Sequence, residues 1–411
     1  MTSGLRGVFR RNVSEIAADP VLRVYGSLLA LVHVLTFVHW QGGATLRRIL
    51  SPDGMPICWP FFEDCHRFRV LGPAGVDVLL WAYFAVAVAT LLLFTRRWTV
   101  PAGYVVLLAL ELAKVLIIAQ DYRLRLNQHY MAFFVTLVFL LFPAKRRALQ
   151  YLIVLFYFWA GTLKLNPEWL SGASLYRREF LWLPAALVPA ACAYVVLLET
   201  ILVFGLLARR SWIFWATLAQ LALFHIMSWP IVGFFYPSLM VLLLAIFPLS
   251  RLCSAGSERP SFARIEARLE LRSTYALLAG FSLLQLVPYA FPGDSTITGQ
   301  GRLLALHMFD ALVVCESHVT LHDGQGGTRR VKVETGRGSA RVRCDPIFHW
   351  NVARALCRQG AAHGRWTEVD LSLRSRRTTD PELRSIVQIE GFCRANPTYD
   401  LWRPNSWIRR T

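Results

Sequence analysis

The sequence predicts a polytopic α-helical membrane protein of about nine transmembrane helices, followed by a small extracytoplasmic α+β domain. Three observations predict it. The chain of 411 residues is 55% hydrophobic and only 17% charged, less charge than a soluble chain of this size carries. Apolar runs of roughly 15 to 22 residues recur through the first 290 or so positions, long enough to cross about 30 Å of hydrocarbon. After Pro292 the texture changes to alternating apolar and polar residues, the period of half-buried strands. The predicted division is therefore 1–292 for the membrane part and 293–411 for the second domain.

The spans are expected at 22–40, 75–95, 99–119, 129–143, 148–164, 184–208, 212–228, 235–249 and 273–291. Positive charge sets their direction. Arg6, Arg10, Arg11 and Arg23 precede the first span. Arg96 and Arg97, then Lys145 to Arg147, then Arg209 and Arg210, then Arg251, Arg259, Arg264 and Arg268 occupy alternate links. With nine spans these all fall on one side, which places the N-terminus in the cytoplasm and the C-terminus outside a bacterial cell membrane. Arg47, Arg48, Arg67 and Arg177 lie in the opposite, longer loops. The first apolar run is long and no clear cleavage site follows it, which favours an uncleaved first helix over a signal peptide.

In the second domain, ALVVCESHVTLHD and TRRVKVETG flank GQGG, the pattern of a β-hairpin. DPIFHWNVARALCRQ reads as a helix, with Asp345 at its start and Pro346 in its first turn. DLSLRSRR and IVQIEGFC read as further strands.

The formal charge of +18 does not make this a nucleic-acid-binding chain. The excess is spread over membrane links and a folded tail, with no basic run interleaved with aromatics. Six of the eight cysteines (Cys58, Cys65, Cys315, Cys344, Cys357 and Cys393) fall on the outer side, whereas Cys192 and Cys253 do not. An even set in an oxidising compartment points to as many as three disulfides, with the pairing left open except that Cys58 and Cys65 are near enough to join each other. No CxxC spacing supports a metal site, and none is expected.

Ionisable groups inside membrane spans are costly and mark function by default. His129 heads the fourth span, about 15 residues above a short turn, and Lys164 ends the fifth, about 16 residues beyond it. At ~1.5 Å per residue the two share a depth near the outer edge. Asp121 ends the third span and His225 lies near the outer end of the seventh, so four polar groups are expected at one level. Each also has a plain role open to it. Lys164 can snorkel to the headgroups, His129 can cap a helix, and His225 can bridge helices. Glu111 and Lys114 are three apart and suit a pair on one helix face. Glu199 reads as a structural residue toward the cytoplasmic side. Trp59, Trp159, Trp169, Trp182 and Trp229 suit the interfacial aromatic belt.

LNQHYMAFFVTLVFLLFP followed by YFWAGTLKLNPEWLSG resembles the vitamin K-dependent gamma-carboxylase superfamily and its bacterial horizontally transferred transmembrane (HTTM) relatives. The resemblance rests on Asn127 and His129, then Ala160, Gly161, Lys164, Leu165, Trp169 and Gly172. FHIMSWPIVGFFYPSLMVLL, with His225 and Gly233, and more weakly GRLLALHMFD, are similar to later family segments. The resemblance covers roughly residues 20 to 320 and implies a nine-span body with its N-terminus inside.

It also implies a lyase-class chemistry. Lys164 would act as a base toward reduced vitamin K or menaquinol, and the deprotonated hydroquinone would react with O2. A glutamate γ-proton would then be removed and CO2 captured, with His129 supporting the carboxylation. Asn127, His225, Asp121 and Trp169 would line the quinone and substrate pocket, and a secreted peptide or related acid would be the substrate. An amine desolvated in an apolar pocket is a weaker base in water's terms and holds its proton less firmly. This chain departs from the family at Leu163, where the carboxylase has a second lysine, and in the entry motif to the second domain, where the family carries a Trp before a Met pair and this chain reads Leu306, His307, Met308 and Phe309, and its C-terminal part is shorter. The alternative is a non-catalytic membrane module that binds lipid or peptide or assists maturation and export of a secreted peptide. A channel or transporter is disfavoured because no inverted pair of broken spans is visible.

Overall fold

The structure is a computed structural model that describes every residue except 1, 43–44, 51–54, 69–70, 176–182, 254–263, 310, 334–339, 365 and 411. Its larger, N-terminal part is helical: α1 (Thr2–Ala18), α2 (Pro20–Gln41), α3 (Thr45–Leu50), α4 (Pro73–Leu93), α5 (Val100–Ala119), α6 (Asn127–Leu141), α7 (Lys145–Leu163) and α8 (Pro167–Leu170). There follow α9 (Val188–Thr200), α10 (Ser211–Val232), α11 (Phe235–Leu244), α12 (Ile246–Cys253) and α13 (Arg264–Leu286). Proline in the first turn of α2, α4, α5 and α9 pre-sets the helical φ where no amide partner is lost. Asp19 caps α2, accepting from Val21 N at 2.8 Å.

Among the described residues, six helical segments are long and apolar enough to cross a membrane: Pro20–Gln41, Pro73–Leu93, Val100–Ala119, Ala185–Leu207, Ser211–Val232 and Phe235–Cys253. The other three expected spans are also helices. However, α6 has only 15 residues, and α7 and α13 begin with charged turns. The outward faces of α4, α5 and α10 are apolar, with Val78, Leu116, Leu223 and Ile226 each about 60% or more exposed, as membrane-spanning helices require.

The buried core of the bundle runs through Tyr25, Leu107, Phe139, Leu152, Phe156, Leu239 and Phe247. The hydroxyls of Tyr25 and Tyr104 donate to the Leu243 and Leu140 carbonyls, so neither is left unpaired in the apolar interior. At one end α1 is fastened by buried Lys145, whose Nζ donates to Asn12 Oδ1 and to the Phe142 carbonyl, both at 2.7 Å.

The remainder begins with α14 (Ser295–Thr298) and builds a four-stranded antiparallel sheet in the order β2-β1-β3-β4. Its strands are β1 (Val313–His322), β2 (Thr328–Lys332), β3 (Glu368–Arg377) and β4 (Arg384–Ile389), with α15 (Ala340–Arg343), α16 (Pro346–His363) and α17 (Phe392–Ala395) between and after them. The expected hairpin pairs His318 with Lys332 through His322 with Thr328. Asp345 caps α16 by accepting from Ile347 N at 3.0 Å. The fourth strand stops at Ile389, and the GFC that follows opens α17, where Gly391 takes φ +63°.

Three disulfides close: Cys58–Cys65, Cys315–Cys344 and Cys357–Cys393. The first belongs to the loop before α4, and that loop packs into the sheet domain. Ile57, Trp59 and Tyr122 share a core with Trp350, Leu371 and Val387. Asn351 exchanges hydrogen bonds with the backbone of Cys58 at 3.0 Å each way. Trp59, expected in the membrane interface, is instead buried there and donates to the Ile118 carbonyl.

Candidate functional site

The turn after α7 explains why an apolar run ends in Lys-Leu-Asn-Pro-Glu-Trp. Asn166 caps α8, accepting from Trp169 N at 2.9 Å, while its Nδ2 reaches back to the Leu163 carbonyl at 2.8 Å. Pro167 starts the new turn. The chain thus doubles back and sets the Trp169 ring 5.3 Å from Lys164 Nζ, a cation–π contact. Trp169 is buried and its Nε1 donates to the Cys192 carbonyl at 2.9 Å, so it is not part of an interfacial belt. Trp182 lies outside the described residues.

Lys164 does not snorkel. It is 1% exposed and its Nζ donates to Glu199, which is itself fully buried. Glu199 is near the end of α9, roughly 16 Å along a helix that rises ~1.5 Å per residue, and α7 stops level with it. Gly161 permits the approach, because a Cβ there would fall 2.7 Å from Thr200 and 2.9 Å from the Glu199 Cβ. Directly beyond the carboxylate, α9 leaves its α-helical path for a 3-10 stretch, Leu202–Leu207, a change of winding that often marks a working site.

His225 stands behind this pair. Its Nε2 is 2.6 Å from the Tyr157 hydroxyl, and its ring meets Tyr236 at 5.5 Å. Glu199 Oε1 and His225 Nδ1 are buried with no hydrogen-bond partner among the described residues. Such atoms are costly to leave unmet.

A cavity of about 450 Å³ begins at Lys164, Trp169 and Tyr236 and is otherwise walled by apolar side chains, among them Val188, Val195, Ile231, Met308 and Phe309. Ile226 and Met227, which also line it, are more than half exposed on the flank of α10. The cavity therefore reaches the apolar outer flank of the bundle. Gly233, at φ +78°, ends α10 and turns the chain into α11 beside it.

The four groups expected at one level do not form one cluster. His129 is buried on the far side of the first turn of α11, packed on Phe235, Trp40 and His39 with ring centroids 5.4, 5.6 and 6.2 Å away. Lys164 and His225 lie together beside Tyr236. Asp121 serves the loops, accepting from Arg123 Nε at 2.8 Å and from Ile57 N at 3.2 Å. Asn127 clasps the segment after α13, accepting from His307 N at 2.9 Å and donating to the His307 carbonyl. Glu111 and Lys114 do pair, at 2.8 Å.

Sequence reasoning missed Glu199, Tyr157 and Tyr236 as site residues. Glu199 carried a usable signal, being the one charged residue in the apolar run 183–208, since a buried carboxylate needs a cation nearby. The tyrosines carried none. Comparisons with protein-family models, curated proteins and solved structures find no match to this chain.

Proposed function

We propose that the chain is a membrane enzyme in which Lys164 and Glu199 handle a proton at the polar end of an apolar cavity that admits a lipid-soluble quinol from the bilayer. The observation that carries this reading is the buried Lys164–Glu199 pair opening onto that cavity. A lysine and a carboxylate in hydrogen-bond contact give a proton a short path between the cavity and the bundle interior. Lys164 stands at the polar end of the cavity, where Tyr236 and Trp169 would hold an aromatic guest against it. The residues fit such a group: an apolar enclosure with a few polar atoms at one end is the usual build of a small-molecule site.

A bound quinol would supply the oxygen-dependent chemistry that the family resemblance implies, carboxylation of a glutamate side chain in an extracytoplasmic peptide or related acid by CO2. The three disulfides, all at the sheet-domain end, support an oxidising compartment for that end and hence a cytoplasmic N-terminus. Nine crossings of the membrane are part of the same proposal, with α6, α7 and α13 added to the six longer helices.

The test is incorporation of carbon-14 bicarbonate into membrane or secreted proteins in cells supplied with menaquinol or reduced vitamin K. Label that depends on this chain and disappears in a Lys164→Met/Glu199→Gln variant, which leaves no unpaired buried charge, is the expected result. Equal label with the inserted variant overturns the reading.

A second reading has its own observation. The same ion pair joins α7 to α9, so it also suits a non-catalytic module that binds lipid or peptide. In that case the double variant alters ligand binding and no turnover is found.

A further inference from the structure

The sheet domain closes one of its two edges and leaves the other open. Beyond β4 the C-terminal segment adds a bridge, Val387 with Ile408, and Arg409 N donates to the Ile386 carbonyl at 2.8 Å. At the other edge stands β2, whose five residues are all exposed and whose outer side no described strand pairs. The register shows which of its backbone groups are left over. Val333 N donates to the Ser317 carbonyl at 3.1 Å, and Asp323 N to the Gly327 carbonyl at 3.0 Å. Residues of an antiparallel pair alternate between bonding the partner strand and facing away from it. Arg329 and Val331 therefore bond toward β1, whereas Thr328, Arg330 and Lys332 turn both N–H and C=O outward. These three lie ~7 Å apart, the repeat that one more strand would match.

The open edge is also selective in charge. Arg329, Arg330 and Lys332 are three of its five residues, and none is in an ion pair among the described residues. Residues opposite each other share a face of the sheet. Arg330 and Lys332 thus lie with Thr320 and His318, on the face away from the core that buries Val319. The carboxylates of that face sit farther in and are engaged. Asp370 is 2.6 Å from His322, Glu368 accepts from Cys393 N at 2.6 Å, and Glu316 stands opposite Arg374. A basic edge repels a second copy of itself, a common guard against edge-to-edge pairing. The same charge attracts an extended chain of opposite sign.

We propose that β2 is the docking edge for an acidic peptide, which adds to the four-stranded sheet as a further strand and sets its carboxylates beside Arg330 and Lys332. Main-chain bonds to Thr328, Arg330 and Lys332 supply the hold, and the basic side chains supply the selection, as strand addition works elsewhere. An anionic lipid surface would answer the charge but not the outward row of N–H and C=O groups. The edge also points toward the cavity. β2 runs back along β1 toward Leu312, whose N bonds Glu168 of α8. From His318, opposite Lys332, to Leu312 is ~20 Å along the strand, and the added strand stands ~10 Å to the side. About seven further extended residues would carry a docked peptide to the level of α8. That delivery rests on the proposed function; the docking does not.

The experiment is fluorescence polarisation with the purified full-length protein in nanodiscs of neutral phosphatidylcholine. The probe is a labelled heptapeptide that alternates glutamate and threonine. Its controls are the lysine–threonine analogue and the acidic peptide N-methylated at every residue. Saturable binding of the acidic probe is expected, with both controls about tenfold weaker or more. Arg330→Pro removes an outward N–H and spares the bonds to β1, and edge strands tolerate proline. It should weaken binding about tenfold. Arg329→Gln/Arg330→Gln/Lys332→Gln should weaken it as much and abolish its salt dependence. Absence of saturable binding to the wild type overturns the proposal. So does binding that survives Arg330→Pro and N-methylation but falls in the triple glutamine variant, which marks a basic surface open to any polyanion, lipid headgroups included. If Arg330→Pro does not fold, the N-methylated probe on the wild type decides. Docking that meets these results stands even where no carbon-14 label is found.

Discussion

The Lys164 and His129 clusters occupy the same bundle and are built from the same residue types, yet they are organised differently. Around Lys164 a single ion pair stands at the mouth of a large apolar cavity. Near His129 the buried groups Tyr83, His33, Glu111 and Lys114 gather from three helices, and neither ring nitrogen of His129 has a hydrogen-bond partner among the described residues. Adjacent residues of α11 divide them, with Phe235 against His129 and Tyr236 against His225. Counting residues from the α6–α7 turn fixes depth, but depth says nothing about direction around a helix axis. Two side chains at one depth on neighbouring helices can point into different compartments, and here they do.

The largest effect that would break this contrast is expected at Glu199. Removing one member of a buried ion pair costs about 3–5 kcal/mol because the other charge is stranded. Glu199→Ala should therefore lower thermal stability in detergent sharply, and Lys164→Met added to it should recover most of the loss. If Glu199→Ala leaves the melting curve in place, the pair is not buried as described.

A smaller effect calibrates both clusters against the sheet domain, which lies outside the bundle. Burial lowers the His349 pKa from 6.5 to about 4. The folded state thus prefers neutral His349 and the unfolded state takes the proton first. Stability is untouched above pH 6.5 and falls as pH drops from 6.5 toward 4, by up to roughly 3 kcal/mol. Denaturation of the sheet domain at several pH values should show that slope, and His349→Gln should flatten it. An equal slope in the variant refutes the assignment.

The smallest effect sharpens the contrast most. If the clusters are independent, stability changes from Lys164→Met/Glu199→Gln and from His129→Phe should add to within about 0.5 kcal/mol. A coupling well above that would show one network.

Much of the fold was legible because it rests on local chemistry. The GQGG hairpin, the Asp345–Pro346 helix start and the paired Glu111 and Lys114 all follow from residues close in sequence. The position of Glu199 was not legible, because it depends on where α7 stops. Asn166 and Pro167 set that stop by a turn whose depth in the bundle only packing reveals. Trp59 and Trp169 were misplaced for a related reason. An aromatic near a span end serves a lipid interface or a protein core equally well, and the choice lies with partners far along the chain, Ile118 and Cys192.

Glu168, four residues past Lys164, is 1% exposed. Its carboxylate accepts from Leu312 N at 3.0 Å, Thr378 Oγ1 at 2.9 Å, and Thr379 N and Oγ1 at 3.2 Å each. The same short helix carries Trp169 against the lysine. The floor of the cavity is thereby moored to the sheet domain, and the two halves of the protein are not interchangeable modules. A bundle inherited or engineered without residues 312–379 would keep every cavity-lining residue and still lose the mooring that holds them in register.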